Sequence, residues 1–459
     1  MEKKLKKKKR ESGRSTFMLL LKVLSALALV LAVIAGFIVC ETEKPAIAVL
    51  DEVANLGMKA EFRCTVADAK SGIREVEVVL VQGDKKATLY SKTFPRAGYL
   101  LHAGPASLEE KVAVDGKALG FTDGNLELVI TARDFSFWNL MRGNETRLTT
   151  AVLLDTQAPV VSVMESPTII KPGGAGVVVY RLGEEVARHG VMINGFFHPG
   201  FPLPKKGSGV FAAFIALPFD LERVDEAVVL AEDRAGNQGR VGVGLPLQPV
   251  KFRMDRRIDI PDSFLNLKLP EFRAHYPEMT GTPVEQYVYV NGEIRKKNYE
   301  QILAVCNKPS AERLWEGRFL RMERGSPEAG YADHRTYFYQ GKEIDRQVHL
   351  GIDLASTQHS EVAAANRGRV AFVDYLGIYG NTVIIDHGQG IFSLYSHMSE
   401  ITVALESMVE KGAIIGRTGS TGMAGGDHLH CGMLVNGIFV SPVEWWDPHW
   451  LQDNIFRFL

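Results

Sequence analysis

Histidine is concentrated near the C-terminal end of this chain. Seven of its 12 histidines lie between His349 and His449, where a share proportional to length would be about three. Imidazole binds metal ions and exchanges protons near neutral pH. The imbalance therefore indicates a site for metal binding or proton transfer in this stretch.

The first motif of the stretch is HLGIDL, residues 349–354, in which polar or small residues alternate with apolar ones. This period is typical of a β-strand and places His349, Gly351 and Asp353 on one face. A helix also aligns residues four apart, but the glycine and the strict alternation disfavour it. The strand face thus presents two candidate ligands.

Two further motifs carry histidine. In HLHC, the same alternation places His428 and His430 on one face and Cys431 on the other. In FSLYSHM, His397 belongs to a third predicted strand. Two imidazoles and one carboxylate are sufficient for a catalytic zinc site that keeps water as its fourth ligand.

Taken in this order, HxxxD, SHM and a glycine-rich segment followed by HLH resemble the M23 family of zinc metallopeptidases, of the lysostaphin and LytM type. The resemblance covers residues 332–447. It implies an antiparallel β-sheet domain with a groove whose floor holds Zn²⁺ and along which an extended peptide lies. The implied substrate is the peptide stems of bacterial peptidoglycan, which would be cleaved at their cross-links.

The resemblance also implies the role of each residue. The zinc ligands would be His349, Asp353 and His430, and the catalytic pair would be His397 and His428. No HExxH motif supplies a glutamate base, so an imidazole beside the metal must carry the proton. All positions of the family motif are present, which favours a zinc metalloendopeptidase. The alternative is a non-catalytic LytM-type regulator of other cell wall hydrolases.

Composition sets limits on the whole chain. Its 459 residues are more than a single compact domain usually contains, so two to four domains are expected. The 53 basic and 54 acidic residues leave a net charge of -1 and no electrostatic case for binding nucleic acid. The four cysteines form no CxxC pair, so neither a disulfide framework nor a cysteine zinc site is indicated.

The N-terminus combines a basic segment, residues 1–16, with an apolar run, residues 17–40. Such a run can span a bilayer as a helix, and the positive-inside rule keeps the basic tail in the cytoplasm. The prediction is a single-pass protein of the inner (cytoplasmic) membrane with its catalytic domain on the periplasmic or cell wall side. A cleaved signal peptide is the alternative. A lipoprotein signal at Cys40 is disfavoured because Val39 is bulky.

The middle of the chain predicts a mainly β protein. Short β-rich runs and a weak repeat between residues 129–139 and 228–237 favour two immunoglobulin-like β-sandwiches, which serve as spacers or contact envelope proteins. A helical connector follows, and because it directly precedes the catalytic domain we expect it to limit access to the groove. The predicted domains are a cytoplasmic tail (1–16), a transmembrane anchor (17–40), two β-sandwiches (41–154 and 155–247), the connector (248–330), the antiparallel M23 peptidase domain (331–447) and a C-terminal tail (448–459).

Overall fold

The computed structural model describes residues 2–98, 102–250 and 255–459, with the side chains of residues 2–16 and 37–39 outside the description. The first element is helix α1, Glu2–Val39. Its segment Phe17–Gly36 has 20 residues, a mean hydropathy of 2.7 and no burial within the protein. This segment is long and apolar enough to cross a membrane, as an anchor or a signal sequence would. The side chains of the predicted basic tail lie outside the described residues.

The chain divides into two compact units, of which the first comprises Met1–Ala158 and Glu232–Asn237. Its elements after α1 are β1 (Ala46–Val49), β2 (Asn55–Leu56), β3 (Ala60–Ala67), β4 (Ile73–Gln82), β5 (Lys85–Thr93), β6 (Ser107–Val114), β7 (Gly124–Asp134), a short turn α2 (Trp138–Met141) and β8 (Glu145–Leu154). The strands form two sheets, in the orders β1-β3-β6 and β2-β8-β7-β4-β5.

These two sheets enclose a core. Alternate strand residues point inward, and Phe62, Leu80 and Leu128 from both sheets are buried together. The facing sheets form a β-sandwich in the part of the chain where one is predicted. Its immunoglobulin-like topology stays a prediction.

The second unit comprises Pro159–Ala231 and Gln238–Leu459. It begins with β9 (Val161–Glu165), β10 (Ala175–Leu182), β11 (Arg188–Ile193), β12 (Phe196–Pro202), β13 (Val210–Ala216), β14 (Ala227–Glu232) and β15 (Gln238–Gly242). These strands form one sheet in the order β15-β14-β11-β12-β13-β10-β9. Val178 of β10 and Val229 of β14 are buried in the same core, although three strands separate β10 from β14 in the sheet. The sheet therefore curls around itself. The predicted second sandwich is thus one continuous curled sheet.

Three helices occupy the segment predicted as a connector. They are α3 (Asp262–His275), α4 (Pro283–Tyr289) and α5 (Arg295–Cys306), and a π-helical turn, Val290–Ile294, joins the last two. The start of α4 is set locally, because Thr282 and Glu285 form a capping box around Pro283. Helix formation here follows from the sequence, whereas the packing of the helices depends on the domain that follows.

The remaining strands are β16 (Arg256–Asp259), β17 (Ser326–Ala329), β18 (Asp333–Tyr339), β19 (Lys342–His349), β20 (Ile352–Ala355), β21 (Glu361–Ala363), β22 (Gly368–Tyr375), β23 (Asn381–Asp386), β24 (Ile391–Ser396), β25 (Glu400–Ile401), β26 (Met408–Val409), β27 (Ile414–Arg417), β28 (Leu429–Val435) and β29 (Ile438–Val440). The largest sheet has the order β17-β20-β28-β24-β23-β22-β26, and β29 pairs with β28. Two small sheets, β16-β18-β19 and β21-β27-β25, flank it. The protein is therefore mainly β, with a sheet-rich C-terminal domain, as predicted.

The parts of the second unit share cores rather than standing apart. Phe214 of the curled sheet packs against Trp315, with ring centroids 6.3 Å apart. Leu269 and Phe272 of α3 are buried with Ile378 and Phe439 of the C-terminal domain. In addition, β16 and β17 pair with strands of that domain. The connector is consequently part of the fold that builds the site, and its predicted boundaries stay predictions.

The end of the chain is also packed. After α6 (Pro442–Trp446), residues 448–459 form α7 (Pro448–Asn454) and a 3₁₀ turn (Phe456–Phe458). Leu451, Ile455 and Phe458 are buried in the core of the C-terminal domain. The segment predicted as a tail is thus held by its apolar side chains.

Candidate functional site

Two strand pairings bring the candidate ligands together. His349 is the last residue of β19, Asp353 lies on β20, and His430 lies opposite Asp353 in the antiparallel pair of β20 and β28. The single strand predicted for HLGIDL is interrupted, because β19 and β20 belong to different sheets. Gly351 lies at the interruption, where a Cβ atom would be 2.5 Å from Cε1 of His430. Any larger residue there would displace the imidazole.

Three donor atoms converge at this point. Nε2 of His349 lies 2.9 Å from Oδ1 of Asp353 and 2.9 Å from Nδ1 of His430, and the latter two atoms are 3.0 Å apart. The three residues are 7%, 9% and 4% exposed, respectively. The geometry therefore groups His349, Asp353 and His430 as a set able to hold a metal ion.

The hydrogen-bond partners of His349 favour a cation between its ring and the carboxylate of Asp353. Nδ1 of His349 lies 2.8 Å from the carbonyl oxygen of Gly330, which can only accept, so the ring donates there. In the neutral ring, Nε2 then carries a lone pair directed at the carboxylate oxygen of Asp353. Two acceptors 2.9 Å apart repel each other unless a proton or a metal ion lies between them. Two imidazole nitrogens and one carboxylate oxygen are a donor set that suits Zn²⁺.

The carboxylate of Asp353 is held in its charged form. Burial raises the pKa of this group, but its contacts with His349, His428 and His430 outweigh burial and hold the pKa well below the usual range. Arg335 of β18 donates to the second oxygen, Oδ2, at 3.2 Å. The sequence analysis does not single out this arginine, because an isolated basic residue on a strand has no distinctive spacing.

His397 and His428 lie beside the ligand cluster. Their ring centroids are 4.8 Å apart, and Nε2 of His428 lies 3.5 Å from Oδ1 of Asp353. Each ring donates Nδ1–H to a backbone carbonyl at 2.8 Å, to Thr421 for His397 and to Gly426 for His428. Both carbonyls belong to the glycine-rich segment before β28, which explains why that segment accompanies the HLH motif.

The two imidazoles have different affinities for a proton. Burial lowers the pKa of His397 well below its usual value, and the neighbouring His428 and His430 act in the same direction. Burial also opposes charge on His428, but hydrogen bonding to Asp353 outweighs it and leaves the pKa of His428 raised. A neutral imidazole beside one that holds its proton more readily is an arrangement suited to acid and base roles.

A cavity of about 130 Å³ opens onto the cluster. Besides the five predicted residues, its lining includes Arg335, Tyr337 and Tyr379 of the C-terminal domain and Arg295 of α5. Arg295 comes from the connector, more than 50 residues before His349, so only tertiary packing brings it to the site.

The other histidines of this stretch lie elsewhere. His359 and His449 are exposed, as their sequence context suggests. His387, for which a surface or turn position is expected, is fully buried, and its ring bonds to the Arg367 carbonyl and the Ser393 hydroxyl. Burial lowers its pKa to about 4, so it is a neutral core residue.

Comparison with known proteins agrees with the geometry. Residues 347–442, which contain all five predicted residues, match the family model described as Peptidase family M23. The C-terminal part of this chain is an M23 peptidase domain. The resemblance inferred from the motifs is thereby confirmed.

Curated relatives match a part of this chain. The chain is 42% identical over 98 residues to the DD-carboxypeptidase/endopeptidase Mpg of Neisseria meningitidis serogroup B, which covers 21% of this chain and 23% of the relative. It is 34% identical over 95 residues to the murein hydrolase activator EnvC of Escherichia coli, again 21% and 23%. The chain thus spans about a quarter of the length of these relatives.

Solved structures include a putative M23 peptidase from Pseudomonas aeruginosa. It is 22% identical, with a TM-score of 0.37, over 60% of this chain and 94% of that one.

Proposed function

We propose that this protein is a membrane-anchored zinc metalloendopeptidase that hydrolyses peptide cross-links of bacterial peptidoglycan. The observation that carries the proposal is the convergence of His349 Nε2, Asp353 Oδ1 and His430 Nδ1 within 3.0 Å, beside two further imidazoles. The substrate class is supported by the name of the Neisseria relative, a DD-carboxypeptidase/endopeptidase, and by the M23 domain.

In this proposal each side chain has a defined task. His349, Asp353 and His430 would hold the ion, and Arg335 keeps the carboxylate in place through Oδ2. When bound, Zn²⁺ would activate a water molecule and polarise the scissile carbonyl. His397, which is neutral, can accept a proton at Nε2, and His428 can return one to the leaving amine. Both rings are already oriented by their Nδ1 hydrogen bonds.

A second candidate function is the activation of other cell wall hydrolases without catalysis. The relative named murein hydrolase activator favours it, whereas the complete set of five residues favours hydrolysis. Incubating whole sacculi with the full chain in detergent and identifying released muropeptides by mass spectrometry separates the two functions. We expect cleaved cross-links with this protein alone. Cleavage that appears only when a second hydrolase is added would support the activator.

The proposed topology makes a separate prediction. Because the block of basic residues lies on the N-terminal side of the apolar segment Phe17–Gly36, we expect the C-terminus to be exported. A phosphatase reporter fused after Leu459, which is active only outside the cytoplasm, should be active. A fusion placed before Phe17 serves as the control and should be inactive. Activity of a cytoplasmic reporter at Leu459 would contradict both the topology and the substrate.

Removal of the connector is expected to damage the M23 domain. A chain that starts at Gly330 loses β17 and exposes apolar residues, such as Ile378 and Phe439, that share a core with the helices of the connector. Burial of each such side chain contributes about 1.5 to 3 kcal/mol, and total stabilities are only about 5 to 15 kcal/mol. We expect this fragment to unfold at a lower temperature than a fragment that starts at Pro159.

The same pair of fragments tests whether the connector limits access to the groove, which stays a prediction. This prediction requires higher turnover per folded molecule in the shorter fragment, and equal turnover would contradict it. Equal thermal stability of the two fragments would contradict the structural role of the connector.

A further inference from the structure

A second group of acidic side chains is buried in the N-terminal unit. Glu41 lies two residues after the end of α1, Asp68 follows β3, and Asp134 is the last residue of β7. Each offers a carboxylate oxygen within 4.8 Å of those of the other two. Their exposures are 7%, 5% and 0%, respectively. Three acidic groups that are distant in sequence are thus brought to one buried point.

The hydrogen-bond partners of this group are neutral. Backbone N–H groups donate to the carboxylates, from Ser71 to Glu41 at 2.9 Å, from Gly72 to Asp68 at 2.7 Å and from Asn144 to Asp134 at 2.7 Å. Within the described residues, no Lys or Arg side chain donates to any of the three. The neighbouring Lys70 pairs with Glu43 at 2.7 Å and is 55% exposed. The buried negative charge therefore lacks a basic partner.

One carboxylate oxygen also lacks any hydrogen-bond partner. Oε2 of Glu41 is buried, and no donor within the described part of the chain reaches it. Burial raises the pKa of Glu41, and the charges of Asp68 and Asp134 add to this effect. An unpartnered carboxylate oxygen is costly to bury unless a positive ligand compensates it.

A related turn in the same chain shows that the fold itself does not need the extra acids. Asp233 accepts from the backbone and side-chain nitrogens of Asn237, both at 2.9 Å. Asp134 accepts from the same two groups of Asn144, at 2.7 and 2.8 Å. Asp233, however, belongs to no group of three ligand-forming residues within the described ranges. Glu41 and Asp68 are therefore additions to a turn that forms without them.

We propose that Glu41, Asp68 and Asp134 bind a Ca²⁺ ion. The donors are all oxygens, which suits hard cations, and Ca²⁺ tolerates irregular carboxylate sites better than Mg²⁺ does. Oxygens within 4.8 Å of one another can share one ion with bonds of about 2.4 Å. The ion would join the segment that leaves α1 to the ends of β3 and β7, and so stiffen the start of the first β-sandwich.

Calcium binding to the full chain in detergent micelles tests the site. With the protein loaded with Zn²⁺ and otherwise free of metal, titration calorimetry with CaCl₂ should show one site with a dissociation constant between about 10⁻⁵ and 10⁻³ M. Glu41→Gln and Asp68→Asn should each weaken binding by at least about tenfold, because each removes one charged ligand of three. Glu43→Gln is the matched control, since Glu43 is 66% exposed and pairs with Lys70. This variant should bind Ca²⁺ with the same affinity as the natural chain.

Thermal unfolding distinguishes a metal site from a cluster that is merely protonated. Without Ca²⁺, Glu41→Gln should be at least as stable as the natural chain, because it removes one buried like charge. With Ca²⁺, the natural chain should be more stable than Glu41→Gln. An unfolding temperature of the natural chain that does not respond to about 10 mM Ca²⁺, well above the weakest affinity expected, would overturn the proposal. An equal response to Mg²⁺ would overturn the assignment to calcium.

Discussion

Replacing His349, Asp353 or His430 by alanine is expected to remove the bound metal and the hydrolytic activity together. Each substitution removes one of only three protein ligands, and two ligands hold Zn²⁺ too weakly to survive dialysis. The three donor atoms lie within 3.0 Å of one another. The loss of any one therefore leaves an incomplete set of ligands around the ion. Zinc content by mass spectrometry and cleavage of sacculi, measured on the same preparations, check this expectation.

The control for this series is His449→Ala, because His449 is an exposed histidine outside the cluster. It should keep both zinc and activity. Circular dichroism of the three ligand variants should show an intact β-fold, because the cluster lies at the edge of a large apolar core. A ligand variant that retains stoichiometric zinc and normal turnover would refute the assignment of that residue.

Replacing His397 or His428 by alanine is expected to leave zinc in place and to lower turnover by about 10² to 10⁴, the usual range for a general acid or base. Neither ring belongs to the group of three converging donors. Both direct Nδ1 to a carbonyl, so Nε2 is the nitrogen that can exchange a proton in the reaction. The ratio of zinc content to turnover separates these variants from those of the ligands.

His397 requires a second variant. Its φ is +63°, a conformation that strains alanine but that asparagine tolerates better. His397→Asn should therefore fold as the natural chain does and still lose turnover. If His428→Ala loses zinc while His430→Ala retains it, the two histidines have exchanged roles. If His397→Asn retains full activity, His397 is not a catalytic residue.

Local patterns in the sequence single out five residues that the structure brings together around one cavity. Side chains alternate along a strand, so the spacing in HLGIDL and HLHC already places the ligands on common faces. Short-range rules likewise predict the apolar N-terminal helix. These features depend mainly on neighbouring residues, although the single strand predicted for HLGIDL is divided between β19 and β20.

Other features depend on pairing between distant strands. The break between β19 and β20 turns His349 towards His430, and Gly351 makes room for that ring. Arg335 reaches Asp353 only because β18 pairs with β19. No periodicity in the sequence indicates these contacts, because the residues involved are isolated polar side chains on separate elements.

The sequence by itself determined the class of the C-terminal domain, singled out the five residues proposed for its site and located the apolar segment that can cross a membrane. Only the tertiary structure decided that the connector and the final residues belong to the packed unit, that His387 is a core residue, and that Glu41, Asp68 and Asp134 meet. The physical reason is that motif residues follow local backbone geometry, whereas burial and charge clustering arise when segments far apart in the chain exclude water together.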